Sequence, residues 1–260
     1  MPSLPLIYVF NDADDMAPAL ADYVLSAQTA ALQRHDAFKI GVSGGSLVSN
    51  LNKALLHNPN VEWGKWHIFF ADERLVPLDS PDSNYGLLKS GLLDQLPEGT
   101  PQPVVHGIDY SLLEDSLEAA DAYEKELIKS FAAKDSVRLP AFDLLLLGCG
   151  PDGHTCSLFP GHELLRENIA WVAPIEDSPK PPPRRISLTL PVVTQSLRIA
   201  FVAVGESKAP VLKTVFETPE EGLPCSLVNE GARGKVTWFV DTPAVKGVAV
   251  QKKEYKTPSL

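Results

Sequence analysis

The most informative segment of this chain is Phe142-Asp143-Leu144-Leu145-Leu146-Leu147-Gly148-Cys149-Gly150-Pro151-Asp152-Gly153-His154-Thr155. Its run of leucines is typical of a strand that is buried on both faces of a parallel sheet. The glycine- and proline-rich turn that follows ends the strand and presents Asp152 and His154 two positions apart. In open α/β sheets ligands bind at the carboxyl ends of the strands, which is where this turn would lie.

The pair Asp152 and His154 is a candidate for proton-transfer chemistry, because histidine is the side chain that titrates nearest neutrality. The alternative is a loop histidine and a turn aspartate with no chemical role. Cys156 lies two residues beyond His154, so a Cys–His nucleophile pair is conceivable. Neighbours in one turn rarely face each other, and a buried, inert thiol is the better interpretation of Cys156.

Apolar runs elsewhere predict the remaining elements of an α/β fold. Strands are predicted at Leu6–Phe10, Phe38–Val42, Trp66–Phe70, Asp143–Leu147, Ile199–Val204 and Val236–Val240. Helices are predicted at Met16–Leu32, Ser46–Leu56, Leu112–Phe131 and Lys208–Glu217. Strands that alternate with helices indicate a parallel sheet covered on both faces, with right-handed crossovers. We expect a single α/β domain over residues 1–260.

Three other segments carry local predictions. The period-two pattern of Arg185–Leu190 predicts a half-buried strand, and Pro97–Gly107 predicts a long connection without regular structure. The basic, proline-rich segment Ser178–Arg185 is typical of a linker or a stiff extended loop. A loop of that kind would hold its terminal cations in place at low entropic cost.

Composition excludes several classes of function. The net charge of −10 argues against a nucleic-acid partner, and no apolar run is long enough to span a membrane. Three cysteines without a CxxC pair fit the reducing cytoplasm and argue against a zinc site. Met1–Phe10 lacks the basic region of an export signal, so we expect a cytoplasmic protein. Nothing in the sequence requires more than a monomer.

A second strand, Phe38–Val42, leads into the turn Ser43-Gly44-Gly45-Ser46. A helix that starts after such a turn offers unpaired amides and the positive end of its dipole to an anion. This turn lacks the lysine of a P-loop and the spacing of the dinucleotide fingerprint. The alternative to phosphate binding is a simple helix cap, with Ser46 as the capping residue.

Charged residues follow two further strands. Asp72-Glu73-Arg74 comes after Trp66–Phe70, and Lys208 would stand in the first helical turn after Ile199–Val204. Both are at the edge of the sheet where the two turns above would lie. A solvated loop and a solvated lysine are the alternatives to a functional role.

Taken together, these segments resemble the 6-phosphogluconolactonase family. The matching segments are Gly41–Ser46, Asp72–Pro77 with Ser83–Gly86, Gly148–Gly161, Pro182–Thr189 and Gly205–Lys208, and they occur in the family's order. The third of them, with Ser157-Leu158-Phe159-Pro160, is highly specific. The proline-rich segment Ser178–Pro183 resembles the eukaryotic branch.

The resemblance implies a Rossmann-like, doubly wound fold and hydrolysis of 6-phospho-D-glucono-1,5-lactone in the oxidative pentose phosphate pathway, with no metal or organic cofactor. By position, His154 would be the general base, supported by Asp152. The residues that would hold the phosphate are Ser43, Gly44, Gly45, Arg185 and Lys208, while Asp72 and Arg74 would line the lactone end of a small sugar-phosphate substrate.

Two rival functions remain open. Sugar-phosphate isomerases and deaminases on the same scaffold carry a glutamate five residues after the histidine, where this chain has Phe159. The other rival is a paralogue that binds sugar phosphates without catalysis. Such a protein would keep the phosphate loop and lose the base, whereas this chain retains both.

Overall fold

A computed structural model describes residues 5–132 and 137–256. Its strands are β1 (Leu6–Phe10), β2 (Phe38–Val42), β3 (Trp66–Phe70), β4 (Asp72–Arg74), β5 (Val104–His106), β6 (Leu144–Gly148), β7 (Val172–Ile175), β8 (Arg185–Leu188), β9 (Ile199–Ala203) and β10 (Val236–Asp241). Its α-helices are α1 (Ala13–Leu32), α2 (Ser46–Leu55), α3 (Asn84–Gly91), α4 (Ser116–Phe131), α5 (Leu190–Gln195), α6 (Ala209–Glu217) and α7 (Pro224–Gly231).

The order of the strands determines where a ligand can bind. In the described part of the chain a seven-stranded parallel sheet has the order β1-β10-β9-β6-β2-β3-β5. After β2 the chain adds β3 and β5 on one side, and after β6 it adds β9 and β10 on the other. The switch point therefore lies between β2 and β6, and a crevice opens there at the carboxyl ends of the strands.

The leucine run of β6 separates two hydrophobic cores. Leu144 and Leu146 belong to the core that α1 and α2 cover, while Leu145 and Leu147 belong to the core on the opposite face, with α4, α6 and α7. All four side chains are fully buried. Each contributes about 1.5–3 kcal/mol by leaving water, so this strand anchors the turn that follows it.

A small antiparallel sheet, β4-β8-β7, packs beside the second core. Arg74 of β4 is opposite Arg185 of β8 in the register, and Asp72 is opposite Ser187. This sheet brings the charged segment after β3 and the start of the strand after the proline-rich loop to the same place. Neither placement follows from sequence spacing.

The predicted fold class is confirmed, as a mostly parallel sheet with helices on both faces. The six strands predicted from apolar runs agree with the structure to within one residue at each end, whereas the strand predicted at Arg185–Leu190 ends at Leu188 and Leu190 begins α5. Helix α1 begins earlier than predicted, because Asp12 caps it by accepting from the amides of Asp14 and Asp15. Helix α4 begins later, at Ser116, after a short 3₁₀ turn.

Three local predictions are wrong. Pro97–Gly107 contains β5, because three residues suffice to pair with the sheet edge at β3. Strand β8 is fully buried, since it lies between β4 and β7 and also faces the core. Ser46 is the first residue of α2, and Gly45 is the cap, with a φ of 70° that favours glycine.

Within residues 5–132 and 137–256 no helix is long and apolar enough to cross a membrane. The expectation about an export signal at Met1–Phe10 falls partly on residues 1–4, which lie outside the described residues.

Candidate active site

A cleft of about 210 Å³ opens at the switch point between β2 and β6. Most of the predicted site residues line it, namely Ser43, Gly44, Gly45, Asp72, Arg74, His154 and Lys208. Asp152 and Arg185 are not part of this lining: Asp152 lies against His154, and Arg185, at the start of β8, donates to carbonyls of the proline-rich loop. The fold therefore brings together turns that are far apart in the sequence.

The glycine turn after β2 forms one side of the cleft. The amide of Ser43 donates to Leu146 of β6, which fastens the turn to the neighbouring strand. A Cβ at Gly44 would overlap the side chain of Asn84, so only glycine fits there. Among the described residues, the buried hydroxyl of Ser43 has no hydrogen-bond partner. A buried polar group without a partner is costly, and a ligand in the cleft could supply the missing acceptor.

The turn after β6 forms the opposite side. His154 Nδ1 lies 2.5 Å from Asp152 Oδ1, and the imidazole packs against Gly150 so closely that a Cβ there would overlap it. The His154 side chain is 18% exposed. Because Nδ1 is turned to the carboxylate, Nε2 is the nitrogen left for a ligand or a water molecule.

Lys180 also lies on this side and was not among the predicted site residues. Its Nζ lies 3.0 Å from Asp152 Oδ1 and 3.4 Å from His154 Nδ1. The signal was present, since Lys180 is a cation in a stiff loop that runs directly into a strand. Its partner could not be predicted from a sequence separation of 28 residues.

These contacts set the protonation states. Burial raises the pKa of Asp152, but hydrogen bonds from His154 and Lys180 outweigh it and lower that pKa to about 2. Burial lowers the pKa of His154 below its ordinary value; Asp152 opposes this change, and the charge of Lys180 adds to it. At neutral pH the pair is therefore a carboxylate beside a neutral imidazole, which can accept a proton.

Two cations face the cleft from other elements. Lys208 stands in a 3₁₀ turn just before α6, rather than inside the helix, and its Nζ donates to the carbonyl of Cys149 at 2.7 Å. Arg74 Nη1 donates to the carbonyl of Asp82 at 2.8 Å, and its buried Nε has no partner among the described residues. Both side chains retain donors for an anionic ligand.

The acidic residues of β4 are buried and have different partners. Asp72 accepts from the hydroxyl of Ser157 at 2.8 Å. Glu73 is only 1% exposed and accepts from the amides of Arg74, Asn84 and Tyr85, which fixes the start of α3. Burial raises the pKa of Glu73 to about 7, against these hydrogen bonds. The charge run is therefore not a solvated loop.

Arg185 is 2% exposed, and its guanidinium donates to three backbone carbonyls of the proline-rich loop. Its Nη1 also lies 3.5 Å from the hydroxyl of Ser157. These contacts turn the side chain toward the loop, so a phosphate-binding role for Arg185 stays a prediction.

The thiol of Cys156 is buried, and burial raises its pKa well above the ordinary value. A thiol in this state is a poor nucleophile, in agreement with its interpretation as inert. Over the described ranges, no three His, Cys, Asp or Glu side chains are grouped as they would be around a metal ion.

The fold and the cleft together define a class of protein: a doubly wound α/β protein in which a glycine turn faces a histidine–carboxylate pair across the switch point, and a lysine reaches the same cleft. Comparison with known families narrows this class. A family described as glucosamine-6-phosphate isomerases/6-phosphogluconolactonase matches residues 11–238. The chain belongs to this family, which confirms the resemblance seen in its motifs.

Individual relatives agree with this assignment. The 6-phosphogluconolactonase of Homo sapiens is 44% identical over 262 residues, which cover 98% of each chain. The 6-phosphogluconolactonase-like protein 1 of Saccharomyces cerevisiae is 57% identical over 223 residues, or 84% of this chain and 69% of that protein. A solved structure of 6-phosphogluconolactonase from Trypanosoma cruzi matches with a TM-score of 0.79 at 28% identity, covering 96% of this chain and 99% of that one.

Proposed function

We propose that this protein hydrolyses 6-phospho-D-glucono-1,5-lactone to 6-phospho-D-gluconate, the lactonase step of the oxidative pentose phosphate pathway. The observation that carries the proposal is the pairing of a neutral His154 with Asp152, 2.5 Å apart, across a cleft from the glycine turn. The relatives named above support the same activity. We further propose that the chain acts as a monomeric, single-domain cytoplasmic enzyme without a cofactor.

In the proposed mechanism His154 is the general base. Its Nε2 takes a proton from a water molecule while the water oxygen forms a bond to the lactone carbonyl carbon. The tetrahedral intermediate then collapses: the bond to the ring oxygen breaks, and the imidazolium returns its proton to that oxygen. The carboxylic acid product loses its own proton to solvent. A lactone is already an activated ester, so no covalent enzyme intermediate is needed.

The glycine turn after β2, together with Lys208, would hold the phosphate. The unpartnered hydroxyl of Ser43, the amides of Gly44 and Gly45 and the ammonium of Lys208 offer a compact set of donors in an acidic protein. Such donors at a helix start suit a phosphate group. Binding energy from this remote group would orient the reacting carbonyl beside His154. Arg74 and Asp72 would line the lactone end.

The environment of His154 argues against the deaminase alternative. Phe159 stands at the position of that branch's glutamate, and its ring centroid lies 4.7 Å from that of His154. A phenyl ring cannot shuttle a proton. Conversion of glucosamine 6-phosphate to fructose 6-phosphate by the purified protein would revive this alternative.

The decisive test is turnover of freshly generated 6-phosphogluconolactone by the wild type and by His154→Ala, each above a blank without enzyme. We expect the substitution to lower kcat by about 10²–10⁴-fold, the usual range for loss of a general base. Equal activity in both proteins would support the lactonase function but exclude His154 as the general base, and Asp72 would be the next candidate. No turnover in the wild type, together with sugar-phosphate binding, would indicate a binder without catalysis.

A further inference from the structure

The proline-rich loop before β8 makes a contact that the proposed mechanism leaves unexplained. Lys180 reaches from this loop to Asp152 Oδ1, the same oxygen that lies against His154 Nδ1. Its side chain is 31% exposed and points at the proton-transfer pair rather than into solvent. A lysine without a role in the site would extend its ammonium group into solvent instead.

Arg185 holds the turn that carries Lys180. Its Nη2 donates to the carbonyls of Lys180 at 2.8 Å and Pro181 at 3.0 Å, and its Nε donates to Pro182 at 2.9 Å. The hydroxyl of Ser178 donates to the carbonyl of Lys180 at 2.8 Å. A planar guanidinium is suited to fixing several acceptors at once. The backbone at Lys180 is therefore held on both sides.

Packing links the same groups a second time. The ring of Phe159 lies 5.6 Å from the guanidinium carbon of Arg185 and 4.7 Å from the ring of His154, measured to its centroid. Phe159 thus contacts both Arg185 and His154. Removing the Arg185 side chain would therefore alter the surroundings of the imidazole through Lys180 and through Phe159.

On the basis of the proposed lactonase function, we propose that Lys180 is a positioning residue for the Asp152–His154 pair and that Arg185 is the clamp that holds Lys180 against it. The ammonium fixes the orientation of the Asp152 carboxylate and thereby keeps Nδ1 of His154 directed at Asp152 and Nε2 directed at the cleft. Neither residue needs to touch the substrate for this role.

The positive charge of Lys180 also solves a chemical problem. A carboxylate alone beside an imidazole favours the protonated ring, and an imidazolium cannot accept a proton from water. Burial is the larger cause of the lowered pKa of His154, and a lysine that shares the carboxylate adds to it by offsetting part of the effect of Asp152. Asp152 can then orient the histidine without converting it to its inactive form.

Other titratable groups around His154 must be considered in any pH experiment. They are Asp152 in its own turn, Lys180 in the proline-rich loop, Asp72 and Arg74 in β4, Lys208 before α6, Arg185 in β8, Cys149 and Cys156 beside the cleft, and Cys225 in α7, whose Sγ lies 3.7 Å from the His154 carbonyl. Lys180 is the cation within hydrogen-bonding range of Nδ1, at 3.4 Å.

The test is the pKa of His154 measured by NMR in protein with ¹³C-labelled histidine, without substrate, with the signal assigned through His154→Gln. For Lys180→Met we expect this pKa to rise by about 1 unit, the low end of the effect of a charge at this range. The acid limb of kcat/KM should move upward by the same amount. Lys180→Arg, which keeps the charge, should restore much of the wild-type value.

Lys65→Met is the matched control, since Lys65 is exposed and precedes the amino end of β3, at the opposite edge of the sheet. It should leave the pKa of His154 and kcat/KM unchanged. An unchanged His154 pKa in Lys180→Met would overturn the proposal. A wild type without lactonase activity would refute the proposed function. The NMR measurement needs no turnover, so it would still decide whether Lys180 positions the Asp152–His154 pair.

Arg185→Met tests the clamp. We expect the same rise in the pKa of His154 as in Lys180→Met, and no further rise in the double variant, because both changes remove one arrangement. If Arg185 instead binds the substrate phosphate, Arg185→Met should raise KM and leave the pKa of His154 at its wild-type value. That result would overturn the proposed role of Arg185 as the clamp. If Arg185→Met does not fold, Arg185→Lys supplies the same comparison.

Discussion

The two sides of the cleft differ in how far their hydrogen bonds are satisfied without a ligand. On the side of β2, the hydroxyl of Ser43 is buried and unpartnered within the described residues, and the glycine turn carries no side-chain cap for α2. On the side of β6, Asp152, His154 and Lys180 are all within hydrogen-bonding distance of one another, and the hydroxyl of Thr155 is the group there that is buried and unpartnered within the described residues.

This difference separates binding from chemistry. A side with unused donors is stabilised by an anion that completes it, so it should govern affinity. The Asp152–His154–Lys180 group, whose contacts are already made, holds its reacting imidazole in one geometry before the substrate arrives, so it should govern the rate of the chemical step. Substitutions on the two sides should then separate into effects on KM and effects on kcat.

The largest expected effect comes from Gly150→Ala, beside the Asp152–His154–Lys180 group. The added methyl group would overlap the imidazole of His154 and displace it. We expect kcat to fall about 10²-fold, as for a misplacement of about 1 Å, with little change in KM. Gly148→Ala is the comparison in the same segment: a Cβ there meets no protein atom within 4 Å, so kcat should be kept, and any effect of a methyl group on the cleft lining should fall on KM. A wild-type kcat for Gly150→Ala in steady-state kinetics would contradict the claim that the side of β6 governs the chemical step.

A smaller effect is expected from Lys208→Met, because Lys208 retains donors that an anion in the cleft can use. Loss of one charge-assisted contact to a phosphate is worth about 1.5–3 kcal/mol, so KM should rise by roughly tenfold or more while kcat stays near its wild-type value. The exposed Lys213 in α6 provides the control Lys213→Met, which should change neither constant. A fall in kcat without a rise in KM would place Lys208 with the chemistry instead.

Ser43→Ala should have opposite effects on stability and on binding. Removing a buried hydroxyl that lacks a partner should leave the free energy of unfolding unchanged or raise it by about 1 kcal/mol, whereas KM should rise a few-fold. Urea unfolding and kinetics measure the two. Ser157→Ala is the contrast: its hydroxyl donates to the buried Asp72, so this variant should lose about 1–3 kcal/mol of stability. A loss of stability in Ser43→Ala would show that its hydroxyl is already satisfied.

The smallest expected effect is the position of the acid limb in the pH profile. Activity requires neutral His154 and therefore falls as the pH drops through the pKa of that group. Burial lowers this pKa below 6.5, and Asp152, with a pKa of about 2, stays ionised throughout. The midpoint of the acid limb of kcat/KM should accordingly lie below pH 6.5. A midpoint above that value would mean that the carboxylate, not burial, dominates the pair.

Much of the fold was predictable because its signals are local. The leucines of β6 and the apolar runs of the other long strands need burial whatever their neighbours are. The short strands β4, β5 and β7 were missed, since their three or four residues show no clear alternation, whereas β8, also of four residues, was recognised from its alternating pattern. They exist because a neighbouring strand supplies the hydrogen bonds.

The features of the site also fall into those that local sequence predicts and those that depend on tertiary contacts. Sequence alone was enough to indicate the α/β class, the family resemblance and the turns with Ser43 and His154, because strand ends, glycine turns and residue types can be recognised within a few positions. The association of Lys180 with Asp152, the turning of Arg185 toward the loop and the burial of Glu73 depend on contacts between distant segments. Those contacts form only when the small sheet folds against the large one, and no local pattern encodes them.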